Sequence, residues 1–239
     1  MSEYIFLFCL LLLTVTALFI SLSPPAKPEP IRIEKTYVIN LDSSTDRLAK
    51  FKEELVPHSI PFERWAAVDG RQISKKQFRE MGVLYWGLNR FSKKRQAELG
   101  CYFSHFLLWK HIVKEKYSPN AGVLIFEDDI LLPPDFKERV DQTLQQTPND
   151  WDILLLGYGT PMFYSESRGP VRKIKHFNGC FAYMINPATI EKIFPYLEFI
   201  GQPIDIILDD LASRELVTIY APTKVIVSIS DELPSTIAP

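Results

Sequence analysis

Three adjacent carboxylates follow a run of apolar residues near the middle of the chain. Glu127, Asp128 and Asp129 come directly after VLIF at positions 123–126. Neighbouring negative charges repel one another, and burying any of them without a partner is costly. Magnesium or manganese would offset the repulsion, because both take carboxylate oxygens and often share phosphate ligands. The segment therefore predicts a metal and diphosphate site, with helix capping or a solvated acidic turn as the alternative.

Two more residues that suit such a ligand follow predicted strands. Arg47 comes soon after KTYVINL (35–41), where its guanidinium could pair with a diphosphate. Asp69 follows FERWAAV (62–68), where its carboxylate could accept hydrogen bonds from a ribose or a base. The alternatives are a surface cation of a helix for Arg47 and an Asp-Gly turn for Asp69.

A predicted helix carries a further group of polar residues. The run ELGCYFSHFLLWKHIV (98–113) has apolar residues at helical spacing and places Glu98, Ser104 and His105 near its start. These three side chains could line a ligand-binding pocket. A packing role inside the core is the alternative for His105.

The order of the predicted elements is largely strand, helix, strand. That order is typical of an α/β sandwich around a mostly parallel sheet, in which ligands bind at the carboxyl ends of the strands. The acids at 127–129 and Asp69 would then share one edge of the sheet. Residues 158–172 are rich in glycine, serine and proline, and are predicted to be a loop.

Seven segments in this order resemble glycosyltransferase family 25, which includes bacterial lipooligosaccharide glycosyltransferases and animal collagen galactosyltransferases. The resemblance covers residues 36 to about 226, and its most specific part is ELGC-x-x-SH-x-x-x-W followed by EDD. The segments are YVINLDSSTDR (37–47), FERWAAVDG (62–70), AELGCYFSHFLLWKHIV (97–113), VLIFEDDI (123–130), WDILLLG (151–157), GCFAYMINPATIEKI (179–193) and PID (203–205).

The resemblance implies a single GT-A type (Rossmann-like) α/β domain with a mixed, mostly parallel sheet. It also implies a nucleotide-sugar donor, usually a UDP-sugar, a divalent metal that is commonly manganese, and inversion at the anomeric carbon. One departure is RQAELGC at 95–101, because many members have glycine or serine before GELGC. The domain also ends soon after KVIVSI (224–229), so the acceptor-binding extensions of longer members are not expected.

The resemblance carries roles to individual residues. Asp129 is the first candidate for the metal, and Asp128 is the second candidate and a contact for the nucleotide-sugar. Glu127 is expected to act in catalysis by orienting the sugar or ribose. Inverting transfer needs a base for the acceptor hydroxyl, and Asp205 in the PID segment is the leading candidate. Asp209 and Asp210 are alternatives for the base, and a helix cap is the alternative role for Asp205.

The expected activity is metal-dependent transfer of a hexose, such as galactose, from a UDP-sugar to a hydroxyl of a glycan or protein. A lipooligosaccharide-like glycan would be one such acceptor. A metal-dependent phosphotransferase or nucleotidyltransferase could use the same acids. A non-catalytic protein that binds nucleotide-sugars or glycans is the other alternative.

The amino-terminal residues predict a membrane anchor. Residues 4–22 form an uncharged apolar run of the length needed to span a bilayer, and residues 23–30 form a proline-rich stalk. No basic start or clear cleavage site precedes the domain at 31–239, so an uncleaved anchor is expected. The positive charges that follow the run weakly favour a cytoplasmic domain. The side therefore stays open: the lumen of the Golgi or endoplasmic reticulum in a eukaryote, or the cytoplasmic face in a bacterium.

Composition limits the other functional classes. The 239 residues carry a net charge of −2, which offers no electrostatic basis for nucleic-acid binding. Cys101 and Cys180 fall within the predicted domain at a spacing that matches no zinc pattern. Both are expected to be reduced and partly buried.

Overall fold

The computed structural model describes residues 30–83, 91–197 and 202–230. The strands are β1 (Arg32–Asn40), β2 (Glu63–Ala66), β3 (Ala121–Glu127), β4 (Ile130–Leu131), β5 (Ile153–Phe163), β6 (Val171–Ile185), β7 (Ile219–Pro222) and β8 (Ser228–Ile229). The helices are α1 (Thr45–Leu55), α2 (Lys75–Glu80), α3 (Lys93–Ile112), α4 (Phe136–Gln146), α5 (Pro187–Ile193) and α6 (Ile204–Ser213).

The predicted anchor at 4–22 lies outside the described residues, as does the stalk at 23–30 apart from Pro30. Within the described ranges, no helix combines the length and apolarity needed to cross a bilayer.

Six strands form one sheet in the order β2-β1-β3-β6-β5-β7. Strand β1 is parallel to β2 and β3, β6 is antiparallel to β3 and β5, and β7 is parallel to β5. In this sheet β6 is therefore the reversed strand, and the predicted mixed, mostly parallel α/β arrangement is confirmed. The short strands β4 and β8 pair separately.

Helices cover both faces of the sheet, so its central strands are buried on both sides, as is usual for parallel strands. The side chains of β3 alternate between two hydrophobic clusters because successive strand residues face opposite ways. Val123 and Ile125 pack into a cluster that contains Trp109 of α3. Leu124 packs into the other cluster, which contains Phe51 of α1. The apolar run thus anchors the strand that ends at the acids.

Two sequence predictions differ from the structure. Helix α3 begins at Lys93, before the predicted start at Glu98, because the side chain of Ser92 caps it by accepting a 3.2 Å hydrogen bond from the backbone N–H of Arg95. The predicted loop at 158–172 is wrong over most of its length, because β5 extends to Phe163 and β6 begins at Val171. These two strands form a long antiparallel pair.

Candidate functional site

A cleft lies where β1, β2 and β3 end. These strands are mutually parallel, so their carboxyl ends meet at one edge of the sheet. The amino-terminal half of α3 forms another wall. The cleft is open to solvent, and its empty space is about 630 Å³. The predicted site residues that line it are Arg47, Asp69, Ser104, His105, Glu127, Asp128 and Asp129.

Arg47 bridges two of the three acids. Its Nη1 lies 2.6 Å from Oδ1 of Asp128, and its Nη2 lies 2.6 Å from Oδ2 of Asp129. The side chain of Arg47 is only 12% exposed, so the ion pairs are shielded from water. The repulsion within the acidic segment is therefore offset by an arginine, and Arg47 is not the surface cation that was the alternative reading.

Asn40, at the end of β1, supports the same cluster and was not predicted as a site residue. Its Nδ2 donates to Oδ2 of Asp128 at 2.6 Å, and its Oδ1 accepts from Nε of Arg64 at 2.8 Å. The side chain is buried, which is unusual for asparagine without partners. A polar residue at the end of the apolar run that forms the buried half of β1 is the signal that could have identified it.

The pKa values of Asp128 and Asp129 are raised by burial, although both carboxylates pair with Arg47. Burial raises the pKa of Asp129 to about 6, with help from the charge of Glu127 and against the attraction of Arg47. Burial also raises the pKa of Asp128, and this outweighs the lowering by Arg47 and Asn40.

One carboxylate oxygen in the cluster has no partner. Both oxygens of Asp128 accept hydrogen bonds, whereas the buried Oδ1 of Asp129 has no hydrogen-bond partner among the described residues. A hard cation suits such an oxygen, and Glu127 next to it is 29% exposed toward the cleft. The residues therefore fit a magnesium or manganese ion, with Asp129 and Glu127 better placed as ligands than Asp128.

His105 is buried against the back of the cleft. Its Nδ1 lies 2.8 Å from Oη of Tyr183, which also accepts a 3.0 Å hydrogen bond from Nε1 of Trp109. Its Nε2 lies 3.6 Å from Oε1 of Glu127 and has no hydrogen-bond partner in the described structure. His105 thus packs in the core on one side and meets the cleft on the other.

Ser104 holds the wall of the cleft together. Its Oγ accepts a 2.8 Å hydrogen bond from the backbone N–H of Val68 and donates one of 2.7 Å to the backbone oxygen of Gly100. The segment after β2 also lies very close to α3 at two glycines. A Cβ on Gly70 would lie 1.8 Å from the backbone oxygen of Gln96, and one on Gly100 would lie 2.6 Å from Gly70 N. Ser104 therefore positions the wall as well as lining it.

Asp69 is held by the turn that follows it. Its carboxylate accepts hydrogen bonds from the backbone and side chain of Arg71, and from Nε2 of Gln72 at 3.0 Å. Partial burial would raise the pKa of Asp69, but the hydrogen bonds from Arg71 and Gln72 outweigh it and lower the pKa. The turn-forming role of Asp69 is present, and the residue also faces the cleft.

Two predicted residues lie outside the lining of the cleft. Glu98 pairs with Arg95 of the same helix at 2.9 Å. Asp205 on α6 accepts a 2.8 Å hydrogen bond on Oδ2 from the backbone N–H of Gly179 in β6. The helix-cap alternative for Asp205 is wrong, because the cap position of α6 is Pro203 and no side chain caps it.

The alternative bases also have structural partners. Asp209 accepts a 2.8 Å hydrogen bond from the backbone N–H of Phe177 and lies 3.2 Å from Nδ1 of His176. Asp210 pairs with Arg214 on the exposed side of α6. Asp205 and Asp209 are one helical turn apart, and both bind the backbone of β6.

Cys101 and Cys180 are both free thiols, as predicted. Burial raises the pKa of Cys101 well above its usual value, and the charges of Glu127 and then Asp205 add to this. Cys101 lines the cleft, whereas Asp205 lies outside the lining.

The sequence model of glycosyltransferase family 25 (LPS biosynthesis protein) matches residues 33–172. The chain belongs to glycosyltransferase family 25. The matched region contains the acids, Arg47, Asp69 and the cleft face of α3, but not Asp205.

Curated relatives carry several activity descriptions. A glycosyltransferase 25 family member of Aedes aegypti is 31% identical over 140 residues, and a probable inactive glycosyltransferase 25 family member 3 of Bos taurus is 29% identical over 141. Procollagen galactosyltransferase 1-A of Xenopus laevis is 28% identical over 141 residues. Each match covers 56% of this chain and 23% of the relative, so the chain spans about a quarter of the length of these family 25 proteins.

Among solved structures, the inositol-1-phosphate CTP transferase from T. maritima superimposes with a TM-score of 0.48 at 13% identity. The superposition covers 87% of this chain and 95% of that one.

Proposed function

We propose that the chain is a metal-dependent inverting glycosyltransferase that moves a hexose from a UDP-sugar to a hydroxyl of a glycan or protein. The observation that carries this proposal is the gathering of Arg47, Asp69 and residues 127–129 in one cleft of a family 25 domain. The galactosyltransferase among the relatives supports galactose as the sugar to test first.

In the proposal, the cleft divides its work between a nucleotide end and a reacting end. Asp69 would accept hydrogen bonds from the ribose or base, since hydrogen bonds already keep its carboxylate ionised. Arg47 would pair with the diphosphate. Manganese or magnesium would be held through the unpaired Oδ1 of Asp129, with Asp128 positioned behind it by Asn40, which leaves Glu127 available as a base. When bound, the cation would stabilise the negative charge that develops on the departing diphosphate.

The proton of the acceptor hydroxyl needs a base, and two carboxylates compete for this role. Glu127 lines the cleft and is partly exposed, which gives a sugar hydroxyl access to it. Asp205 remains a candidate because, among the described residues, only its Oδ2 has a hydrogen-bond partner, the backbone N–H of Gly179, but it lies outside the lining. The described geometry therefore favours Glu127 over Asp205 as the base.

Parallel substitutions separate these two roles. We expect Glu127→Gln to lose turnover. Asp205→Asn should keep both UDP binding and most of the turnover if Glu127 is the base. A large loss of turnover in Asp205→Asn would indicate that Asp205 accepts the proton. A loss of turnover at both positions, with UDP binding retained only in Asp205→Asn, would return the base to Asp205 and leave Glu127 with donor binding.

A panel of nucleotide-sugars incubated with the full-length chain tests the function itself. We expect release of free UDP from one UDP-sugar in the presence of manganese or magnesium, and its loss in chelator. Release of inorganic phosphate or diphosphate would indicate a phosphotransferase or nucleotidyltransferase. Saturable UDP binding, without UDP release from any nucleotide-sugar and acceptor tested, would indicate a non-catalytic protein. The probable inactive bovine relative is the reason to test for this outcome.

We also propose that residues 4–22 anchor the chain in a membrane. The full-length chain should partition with membranes and resist carbonate washing. A full-length product recovered in the soluble fraction would contradict the anchor. Protease protection in sealed vesicles would establish the side on which the domain lies.

A further inference from the structure

Cys101, His105 and Glu127 converge at the back of the cleft. Cys101 and His105 are one turn apart on α3 and project from the same helix face, while Glu127 ends the neighbouring strand β3. One possible ligand atom from each residue lies within 4.8 Å of those from the other two. All three residues also line the cleft.

The imidazole of His105 supplies an independent indication of a ligand. The side chain is 1% exposed, and its Nε2 lacks a hydrogen-bond partner in the described ranges. Nearly all buried polar atoms in proteins have a partner, so an unpaired one facing a cleft points to a bound species. Oε1 of Glu127 lies 3.6 Å from this nitrogen, beyond an ordinary hydrogen bond.

We propose that Cys101, His105 and Glu127 form a binding site for a zinc-class divalent cation. A thiolate, an imidazole nitrogen and a carboxylate oxygen are all zinc ligands, whereas magnesium and manganese prefer oxygen alone. The thiolate and carboxylate together balance the charge of the ion. The site goes beyond the proposed transferase activity: it shares Glu127 with the proposed catalytic residues, but Cys101 and His105 are its own ligands, so the two proposals can be tested separately.

The dimensions of the cluster suit this ion. Ligands at ordinary zinc distances stand roughly 3.3–3.8 Å apart at the corners of a tetrahedron. The 3.6 Å separation of His105 and Glu127 falls in this range, and the 4.8 Å limit for the whole cluster requires only a small closure. All three residues line the cleft, so water or a bound substrate oxygen could complete the coordination of the ion.

Tyr183 orients the histidine ligand from behind. Its hydroxyl lies 2.8 Å from Nδ1 of His105 and can either donate to or accept from that nitrogen. When Nδ1–H donates to Tyr183, Nε2 presents its lone pair to the cation. This is the usual arrangement of a metal-binding histidine, whose second nitrogen is held by an outer partner.

Cobalt binding to the full-length chain tests the proposal, because thiolate coordination of cobalt produces a charge-transfer absorption that oxygen ligands do not give. After treatment with chelator, we expect one equivalent of cobalt with this absorption, displaced by zinc and not by magnesium. Cys101→Ala should abolish the thiolate band, and Glu127→Gln should weaken cobalt binding at least tenfold. Cys180→Ala is the matched control, since this buried thiol lies outside the cluster, and it should keep the band.

Absence of the thiolate band from the wild-type chain would overturn the proposal, whether or not any variant folds. Loss of the band in Cys180→Ala but not in Cys101→Ala would overturn it as well. Asp129→Asn distinguishes this site from the proposed catalytic metal. It should keep the cobalt–thiolate band even where manganese-dependent UDP release is lost, so the two proposals fail separately.

Discussion

Nη2 of Arg47 lies 2.6 Å from Oδ2 of Asp129, although the two residues are 82 positions apart in the sequence. The other guanidinium nitrogen binds Asp128 at the same distance, so a single cation joins the start of α1 to the end of β3. These contacts are shielded from water, so a carboxylate that loses its partner here would remain a buried, uncompensated charge, which is costly in free energy.

Removal of Arg47 should therefore be strongly destabilising. Arg47→Gln leaves two buried carboxylates without their cation, and we expect the free energy of unfolding at neutral pH to fall by about 3–5 kcal/mol. Urea unfolding followed by circular dichroism measures this change. Arg214→Gln is the control, because Arg214 and its partner Asp210 are both more than half exposed. Its loss should not exceed about 1 kcal/mol. Equal losses in the two variants would mean that the Arg47 pairs add no more than a surface contact.

A divalent cation should partly replace the missing guanidinium. In Arg47→Gln, Oδ2 of Asp129 and Oδ1 of Asp128 lose their partner, and Oδ1 of Asp129 is already unpaired. Manganese should raise the melting temperature of this variant more than that of the wild type, with about 2.7 kcal/mol of stabilisation at a hundredfold excess over Kd. The double variant Arg47→Gln with Asp129→Asn should lose most of the gain. An unchanged gain in the double variant would place the ion elsewhere.

Glu115 pairs with Lys35 near the start of β1, and this contact predicts a pH-dependent contribution to stability. Its carboxylate accepts a 2.7 Å hydrogen bond from Oη of Tyr117 and two of 3.1 Å from Nζ of Lys35. The bond from Tyr117, opposed by partial burial and aided by Lys35, lowers the pKa of Glu115 below 4.5. A lowered pKa stabilises the fold above the unfolded-state value, and that stabilisation is lost as the pH falls through the folded-state value.

Glu115→Gln should therefore lower the free energy of unfolding most near pH 7, and the difference from wild type should shrink below pH 4.5. Urea titrations at several pH values measure it. Glu80→Gln is a suitable control, because Glu80 is 63% exposed and 3.8 Å from Lys76, and it should show little change at any pH. A difference that grew toward acid would reverse the sign of the argument.

Local patterns were sufficient to predict the elements around the cleft. The apolar run before the acids forms β3, and the predicted helical run at 98–113 lies almost entirely within α3. The prediction of a loop at 158–172 failed because the glycine and polar residues there lack a local strand signal. The strand there is stabilised by distant pairing, such as Gly159 with Asn178, which composition does not reveal.

The partners of the site residues were much harder to predict than their positions. Seven candidates line the cleft, but the sequence offered no indication that Arg47 would be bound by Asp128 and Asp129. Asp205 shows the same difficulty, since its position at the start of α6 suggested a cap, whereas its carboxylate binds β6. Such contacts depend on which elements the fold brings together, and no local pattern encodes them.

The close approach of two backbones at Gly100 yields a further prediction. Alanine normally favours a helix over glycine by about 1 kcal/mol, but a Cβ on Gly100 would lie 2.6 Å from both Gly70 N and Val68 O. Because these are backbone atoms, α3 and the wall after β2 would have to separate, and the hydrogen bond from Val68 to Ser104 would weaken. We expect Gly100→Ala to lower the free energy of unfolding by about 1–3 kcal/mol, measured by urea denaturation, and to weaken UDP binding.

Gly122→Ala is the matched control for this effect. Gly122 is also buried, but its added Cβ would meet side-chain atoms of Met184, Sδ at 2.3 Å and Cγ at 2.6 Å, and this unbranched side chain can change its rotamer where a backbone cannot. Its loss of stability should be smaller than that of Gly100→Ala, and UDP binding should be unchanged because Gly122 lies at the opposite end of β3 from the acids. If Gly100→Ala instead raised stability, helix propensity would outweigh the contact, and the wall of the cleft would not depend on close backbone packing at this position.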